Sequence, residues 1–259
     1  MLRASRLVAR AISEANALLS TGRAPRCGLR VLMYHSVGST AIGDTRGIYG
    51  IAPERFAAQI CTLAAHRDLT PVALDAAADG GTTRVAVTFD DGYRDNLYAA
   101  APVLQQYHIP FTVFVCSAFL RDGPGNFLSP AELRELAALP GAAIGSHGAT
   151  HTPLTQLDDA ALHEELVASK AALEDLCGRG VTAISYPHGA VNRRVRDAAA
   201  AAGYTRGACS RFDINDGARD PLLLCRTDIH RDDDLRVFEQ KLDGAWDWYR
   251  WRSKDPAQH

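Results

Sequence analysis

Apolar residues along this chain gather into seven short runs, at positions 29–34, 84–89, 111–116, 142–146, 181–186, 204–210 and 222–229. Each is bounded by Gly, Pro or polar residues, which reads as a buried strand. Between the runs the apolar spacing changes to three and four, predicting helices over 53–66, 94–107, 130–139, 158–177, 191–202 and 234–249. The fourth helix carries its own punctuation: Asp158 stands where it can cap the start, and Gly178 follows the end. Strands alternating with helices imply parallel βαβ units. Seven such units closing on themselves give an α/β fold, a (β/α)7 barrel, whose chemistry belongs at the C-terminal ends of its strands.

Candidate chemistry falls on that rim. The second run ends Val87-Thr88-Phe89-Asp90-Asp91-Gly92-Tyr93, two adjacent carboxylates before a glycine. Successive side chains on a strand point opposite ways, so the two acids face different tasks unless the backbone turns sharply there. One can ligate a metal while its neighbour handles a proton. The fourth run leads into Gly145-Ser146-His147-Gly148-Ala149-Thr150-His151. Asp, His and His make the three-ligand set that a catalytic zinc site with an open fourth position requires. His35 follows the first run, Pro187-His188-Gly189 the fifth and His230 the seventh, all on the same rim.

Composition narrows the picture. A chain of 259 residues suits a single barrel domain, here 29–259, preceded by an amphipathic helical segment at 1–28. A formal charge of −2 gives no reason to expect nucleic acid as a partner. Cys27, Cys61, Cys116, Cys177, Cys209 and Cys225 are scattered without a C-x-x-C pair, as expected of reduced structural thiols. The N-terminal Arg3, Arg6 and Arg10 are not followed by a continuous apolar stretch, and no run approaches transmembrane length. The expected location is cytoplasmic, at most at the inner face of a membrane.

With those residues in hand, the chain resembles the polysaccharide deacetylase family, the NodB-homology or carbohydrate esterase family 4 enzymes. The resemblance spans about 29–236 and rests on Val31-Leu32-Met33-Tyr34-His35-Ser36-Val37, Thr88-Phe89-Asp90-Asp91-Gly92-Tyr93, Gly145-Ser146-His147-Gly148 through His151, and Ser185-Tyr186-Pro187-His188-Gly189 with a later Ala202-Gly203-Tyr204. It implies a distorted (β/α)7 barrel holding one divalent metal, usually zinc, with Asp91, His147 and His151 as ligands and Asp90 as catalytic base. Two positions depart from the family. Ser185 stands where members often carry an Arg that orients the base, and Arg226 could supply that guanidinium. The usual Leu-His-Asp motif carrying the general acid is absent. A subgroup similar to the biofilm poly-N-acetylglucosamine deacetylases takes this His from its N-terminal Tyr-His motif, which His35 fits, and His230 is the rival.

Substrate and oxyanion contacts are expected from Tyr93, Tyr186, Pro187 and His188, the last through its backbone N–H in the turn that Pro187 and Gly189 shape. The implied reaction removes an N-acetyl group from an amino sugar of a glycan or sugar precursor. Release of formyl or another acyl group, and a catalytically dead glycan-binding barrel, are the alternatives. Loops 36–52 and 121–129 choose the sugar. In the last helix, Phe238, Leu242 and Trp246 repeat every four residues and are expected to face the barrel, leaving Trp248 and Trp251 towards solvent. With the N-terminal segment they could seat the protein on a membrane, or both terminal helices could pack on the barrel or on a second subunit.

Overall fold

The computed structural model describes residues 2–20, 26–41, 43–76, 81–123 and 125–258. The elements run α1 (Leu2–Ser20), β1 (Gly28–Tyr34), β2 (Ser36–Val37), β3 (Gly50–Ile51), α2 (Pro53–Ala65), β4 (Leu69–Pro71) and β5 (Thr83–Phe89). A π-helical turn (Asn96–Ala100) leads into α3 (Ala101–Gln106), followed by β6 (Phe111–Val115), α4 (Phe119–Asp122), α5 (Pro130–Ala138), β7 (Ala142–Ser146) and α6 (Asp159–Cys177). The chain closes with β8 (Ala183–Ser185), α7 (Arg193–Ala201), β9 (Arg206–Ala208), β10 (Thr227–Asp228) and α8 (Leu235–Leu242).

All seven expected strands form, and they pair in parallel in the order β10-β1-β5-β6-β7-β8-β9. The short β4 joins the lower half of β5, opposite β1. Closure is incomplete. The expected seventh strand, 222–229, splits in two: Leu224 bridges Ala208 of β9, and only Thr227–Asp228 pairs with β1. Its backbone leaves the ladder between them, because the Cys225 N–H goes to Asn215 Oδ1 at 2.7 Å and the Arg226 N–H to Arg211 O at 2.8 Å. The result is a curled parallel sheet, closed at this seam by the Ala208–Leu224 bridge and the neighbouring Gly207–Pro221 backbone hydrogen bond.

The two faces of the sheet follow from the two-residue period of a strand. Tyr34, Val87, Phe89, Val113 and Val115 pack outward against the helices in the main core. Leu29, Val31, Ala86, Phe114, Ala208 and Leu224 form a smaller cluster. That second set alternates with the first, so it fills the barrel interior. On this register Thr88 and then Asp90 follow Ala86 inward, so the position of Asp90 is dictated by strand parity.

The expected helices form with adjustments. Asp158 caps α6 by accepting the Ala161 N–H at 2.8 Å, and Gly178 ends it in the left-handed conformation. Ser129 and Glu132 add a reciprocal capping box to α5. The helix expected over 94–107 begins as the π-turn, since Pro102 has no N–H to continue an ordinary ladder. The helix expected over 234–249 stops at Leu242, because Gly244 takes φ +85° and the chain re-forms as a 3-10 turn over Asp247–Arg252. A Cβ at Gly244 would stand 2.8 Å from Asp247 Oδ2 and 2.9 Å from the buried Arg30 guanidinium. Phe238, Leu242 and Trp246 are buried as expected. Trp248 is a correction: it is half-buried, its Nε1 donating to Ser13 Oγ of α1 at 2.9 Å.

Candidate metal-binding and catalytic site

The turn after β5 decides how two neighbouring acids come to share one site. Asp90 stays on the strand's inward face. Asp91 would point outward, but it adopts φ 74°, and Gly92 continues in the same region at φ 75°. A non-glycine residue held there is strained. Gly92 is needed, since a Cβ would meet Val115 at 3.2 Å. The turn swings the Asp91 carboxylate back over the rim towards the histidines.

The histidine loop is built with comparable care. The His147 N–H extends the β7 ladder to Val115 O at 2.9 Å. Gly148 then takes φ 73° and His151 φ 65°. Glu165 of α6 reaches under the loop, accepting the N–H groups of Ala149 at 2.7 Å and Thr150 at 3.1 Å. Its other oxygen takes the Thr150 hydroxyl. One buried carboxylate thus fixes the turn between the two imidazoles.

Asp91, His147 and His151 offer ligand atoms that all lie within 4.8 Å of one another. Asp91 Oδ1 stands 3.4 Å from His147 Nε2 and 3.3 Å from His151 Nε2. His147 Nδ1 lies 2.7 Å from Ser185 O, a carbonyl that can only accept, so Nδ1 carries the proton and Nε2 a bare lone pair. Lone pairs of Nε2 and Asp91 Oδ1 therefore converge with no proton between them, and Oδ1 is buried without a hydrogen-bond donor among the described residues. Two ligands each about 2.0–2.1 Å from a tetrahedral metal stand roughly 3.4 Å apart. The three residues fit a divalent cation.

Asp90 sits beside this cluster in a different environment. Arg226 donates to both its oxygens, Nη1 to Oδ1 at 2.7 Å and Nη2 to Oδ2 at 2.8 Å. The Ser185 hydroxyl lies 2.8 Å from Arg226 Nη2 and 3.2 Å from Asp90 Oδ2, joining the pair. Burial works against the charge, and the guanidinium overcomes it, leaving Asp90 below its ordinary value. Ser185 and Arg226 together occupy the space that the sequence left in question. The guanidinium comes from the break in the last strand, between Leu224 and β10.

His35 follows β1, its backbone carbonyl held by Asn96 Nδ2 at 2.8 Å. Its ring stacks on Tyr49 with centroids 4.1 Å apart, and Nδ1 is buried without a partner among the described residues. His230 stands on the other side of Tyr49, at 5.9 Å between rings, with Nε2 3.7 Å from Asp228 Oδ2. Burial, followed by the nearby Asp228, pushes the Tyr49 phenol up to about 12, so it stays neutral.

Two of the expected substrate contacts need correction. Tyr186 is fully buried, its hydroxyl donating to Leu222 O at 2.8 Å. Tyr93 is also sealed, stacked on Phe127 with centroids 4.9 Å apart. Both rings serve packing. Pro187 is buried and opens the tight turn Pro187–Gly189. His188 does lie on the rim, at φ 57°, its ring 4.5 Å from that of His151. Burial and then the neighbouring His151 lower its pKa, so the imidazole is neutral beside the metal ligands.

Sequence reasoning missed Glu165 altogether. A signal existed: it lies on the buried face of α6 with Leu162, Leu166, Ser169 and Leu173, where a carboxylate needs a partner.

A curled parallel sheet carrying an Asp-His-His cluster and an Arg-clamped carboxylate at its strand ends defines an α/β barrel with a candidate metal site. The sequence matches the family described as polysaccharide deacetylase over residues 77–207. It is 31% identical to YxkH of Bacillus subtilis over 185 residues, which is 69% of this chain and 63% of that protein. The chain belongs to the polysaccharide deacetylase family. It is also 30% identical over 115 residues to the peptidoglycan-N-acetylglucosamine deacetylase PgdA of Listeria monocytogenes, covering 44% of this chain and 23% of that one. The chain thus spans less than two thirds of the length of either relative. Among solved structures it is similar in fold to the Streptococcus pyogenes deacetylase PplD, with a TM-score of 0.73 at 22% identity, over 85% of this chain and 99% of that chain.

Proposed function

We propose that this chain is a metal-dependent hydrolase that removes N-acetyl groups from amino sugars of a glycan or glycan precursor. The observation that carries this reading is the Arg226–Asp90 pair beside the Asp91, His147 and His151 cluster: an ionised carboxylate next to a set of convergent ligand atoms. Zinc suits two imidazoles and one carboxylate. A cation held there supplies Lewis acidity, polarising an acyl oxygen and lowering the pKa of water towards about 7.

The protein's own groups do the rest. Asp90, fixed by Arg226 and Ser185, accepts a proton from the attacking water; its low pKa makes it a weak base, so its value lies in position. The His188 N–H, in a turn that holds φ positive, donates to the developing oxyanion. His35, held against Tyr49, gives a proton to the departing nitrogen. Water and amide are consumed, and acetate and a free amine result.

The name of PgdA supports an N-acetylhexosamine as the substrate unit. The test is acetate release from N-acetylated glycans and nucleotide sugars by metal-loaded protein, with Asp90→Asn as control. Release that is lost in the variant is expected. Formate in place of acetate, or equal release by the variant, overturns the assignment.

A further inference from the structure

The first helix is amphipathic in the reverse of the usual sense. Between residues 7 and 19, the exposed positions are 7, 8, 11, 12, 15, 18 and 19, and they hold only Leu, Val, Ala and Ile. Leu7, Leu18 and Leu19 are 68%, 72% and 73% exposed. The polar residues turn the other way and are consumed by the fold. Ser13 accepts from Trp248, Asn16 donates to Ala245 O at 3.3 Å, and Glu14 takes Arg236 through both oxygens. Arg10 reaches Asp232 O at 3.0 Å and Asp234 at 3.2 Å. A helix on a globular protein ordinarily hides its apolar face. Here the polar face is docked, and an aliphatic strip about 20 Å long looks outward.

Neighbouring side chains match one kind of surface. Trp248 touches α1, and in a 3-10 turn residues three apart eclipse one another, so Trp251 stands on the same side one turn further on. It is 76% exposed, with Arg252 and Lys254 exposed beside it. An interfacial tryptophan flanked by cations complements anionic headgroups. A second copy of the chain is a poorer occupant. In a two-fold contact the same patch meets itself, so the exposed Arg252 and Lys254 would face their own counterparts. Membrane binding instead grows with apolar area and attraction of those cations to anionic headgroups together.

We infer that α1 and the turn over Asp247–Arg252 dock this protein on the surface of an anionic phospholipid bilayer, with α1 lying in the plane of the interface. The helix runs from the catalytic rim, where Arg10 meets Asp232 and Asp234 just beyond His230, down to Ala245. Docking therefore holds one edge of the rim near the headgroups. This inference rests on the placement of α1 and is independent of the chemistry proposed above.

The test is flotation of the full chain with vesicles of phosphatidylcholine, with and without phosphatidylglycerol. The protein is expected to float with the anionic vesicles and more weakly with the neutral ones. Leu7→Gln, Leu18→Gln and Leu19→Gln together keep helix propensity and are expected to lower partitioning at least ~10-fold, with unchanged circular dichroism and unfolding temperature. Trp251→Ala should weaken binding on its own. Failure of the unaltered protein to float, or equal flotation of the triple variant, overturns the inference. So does a dimer in light scattering that the triple variant dissolves without any vesicle binding, which would make the strip a contact between copies.

Discussion

Arg226 and Asp90 form a closed two-point clamp, Nη1 on Oδ1 at 2.7 Å and Nη2 on Oδ2 at 2.8 Å, with both side chains shut off from solvent. Lysine cannot reproduce this fork. Arg226→Met leaves a buried charge unpaired and should cost about 3–5 kcal/mol of stability. Adding Asp90→Asn to Arg226→Met removes that charge and should restore part of the loss. Denaturant unfolding of the two single variants and the double measures the coupling between the two side chains. Equal destabilisation in Arg226→Met and the double variant would contradict the clamp.

Asp90 and Asp91 adjoin in sequence yet should fail differently. Asp91→Asn removes a convergent anionic ligand and is expected to empty the site, as is His147→Ala. Asp90→Asn should keep its metal and lose turnover. Elemental analysis of each purified variant, beside acetate release, reads the two outcomes separately.

Glu165 holds the loop between His147 and His151 without approaching the ligand atoms as a member of the cluster. Glu165→Gln keeps the shape but supplies a weaker acceptor, and where the amide turns its NH2 towards Ala149 and Thr150, donors face donors. Metal affinity should fall by about 10–100-fold, the usual effect of losing a supporting contact. Competition against a chelator measures it.

Stability should respond to acid through the same pair. The folded Asp90 carboxyl titrates below its ordinary value of 3.8. Its stabilising contribution is complete above 3.8 and is lost as pH falls through the lower folded value. Unfolding free energies between neutral pH and pH ~3 should show this loss in the unaltered protein, with a shallower fall in the Asp90→Asn/Arg226→Met variant. The acid limb of the pH–rate profile should not come from Asp90, which stays ionised throughout the usual assay range.

His35 and His230 both lie against Tyr49, and their substitutions should differ in effect. His35→Ala should lower kcat by about 10²–10⁴-fold, the span of general acid catalysis. His230→Ala should leave kcat within a few-fold, since its imidazole leans on Asp228 at 3.7 Å. The reverse pattern would move the acid role to His230.

Much of the site was legible because its signals are local. Asp90-Asp91-Gly92 at the end of an apolar run, and His147 with His151 four residues on, need only strand parity and ligand chemistry to be read. Tyr93 and Tyr186 were misread for a matching reason: an aromatic next to a motif carries no mark of whether its ring faces the rim or the core. Packing against Phe127 and a hydrogen bond to Leu222 decided that. The seventh strand was read as one element from Leu222 to Ile229, while its break at Cys225–Arg226 comes from Asn215 and Arg211, 10 and 15 positions earlier.

By itself, then, the sequence determined the alternation of strand and helix, the rim on which chemistry gathers, and the residue types able to hold a metal, because each depends on spacing within a few residues. Tertiary structure decided the rest. It chose Arg226, at the break in the last strand, to face Asp90, turned Asp91 back over the rim, set Glu165 beneath the histidines and faced α1 outward. Those outcomes rest on contacts between residues tens to hundreds of positions apart, and hydrophobic periodicity carries no record of which surfaces will meet.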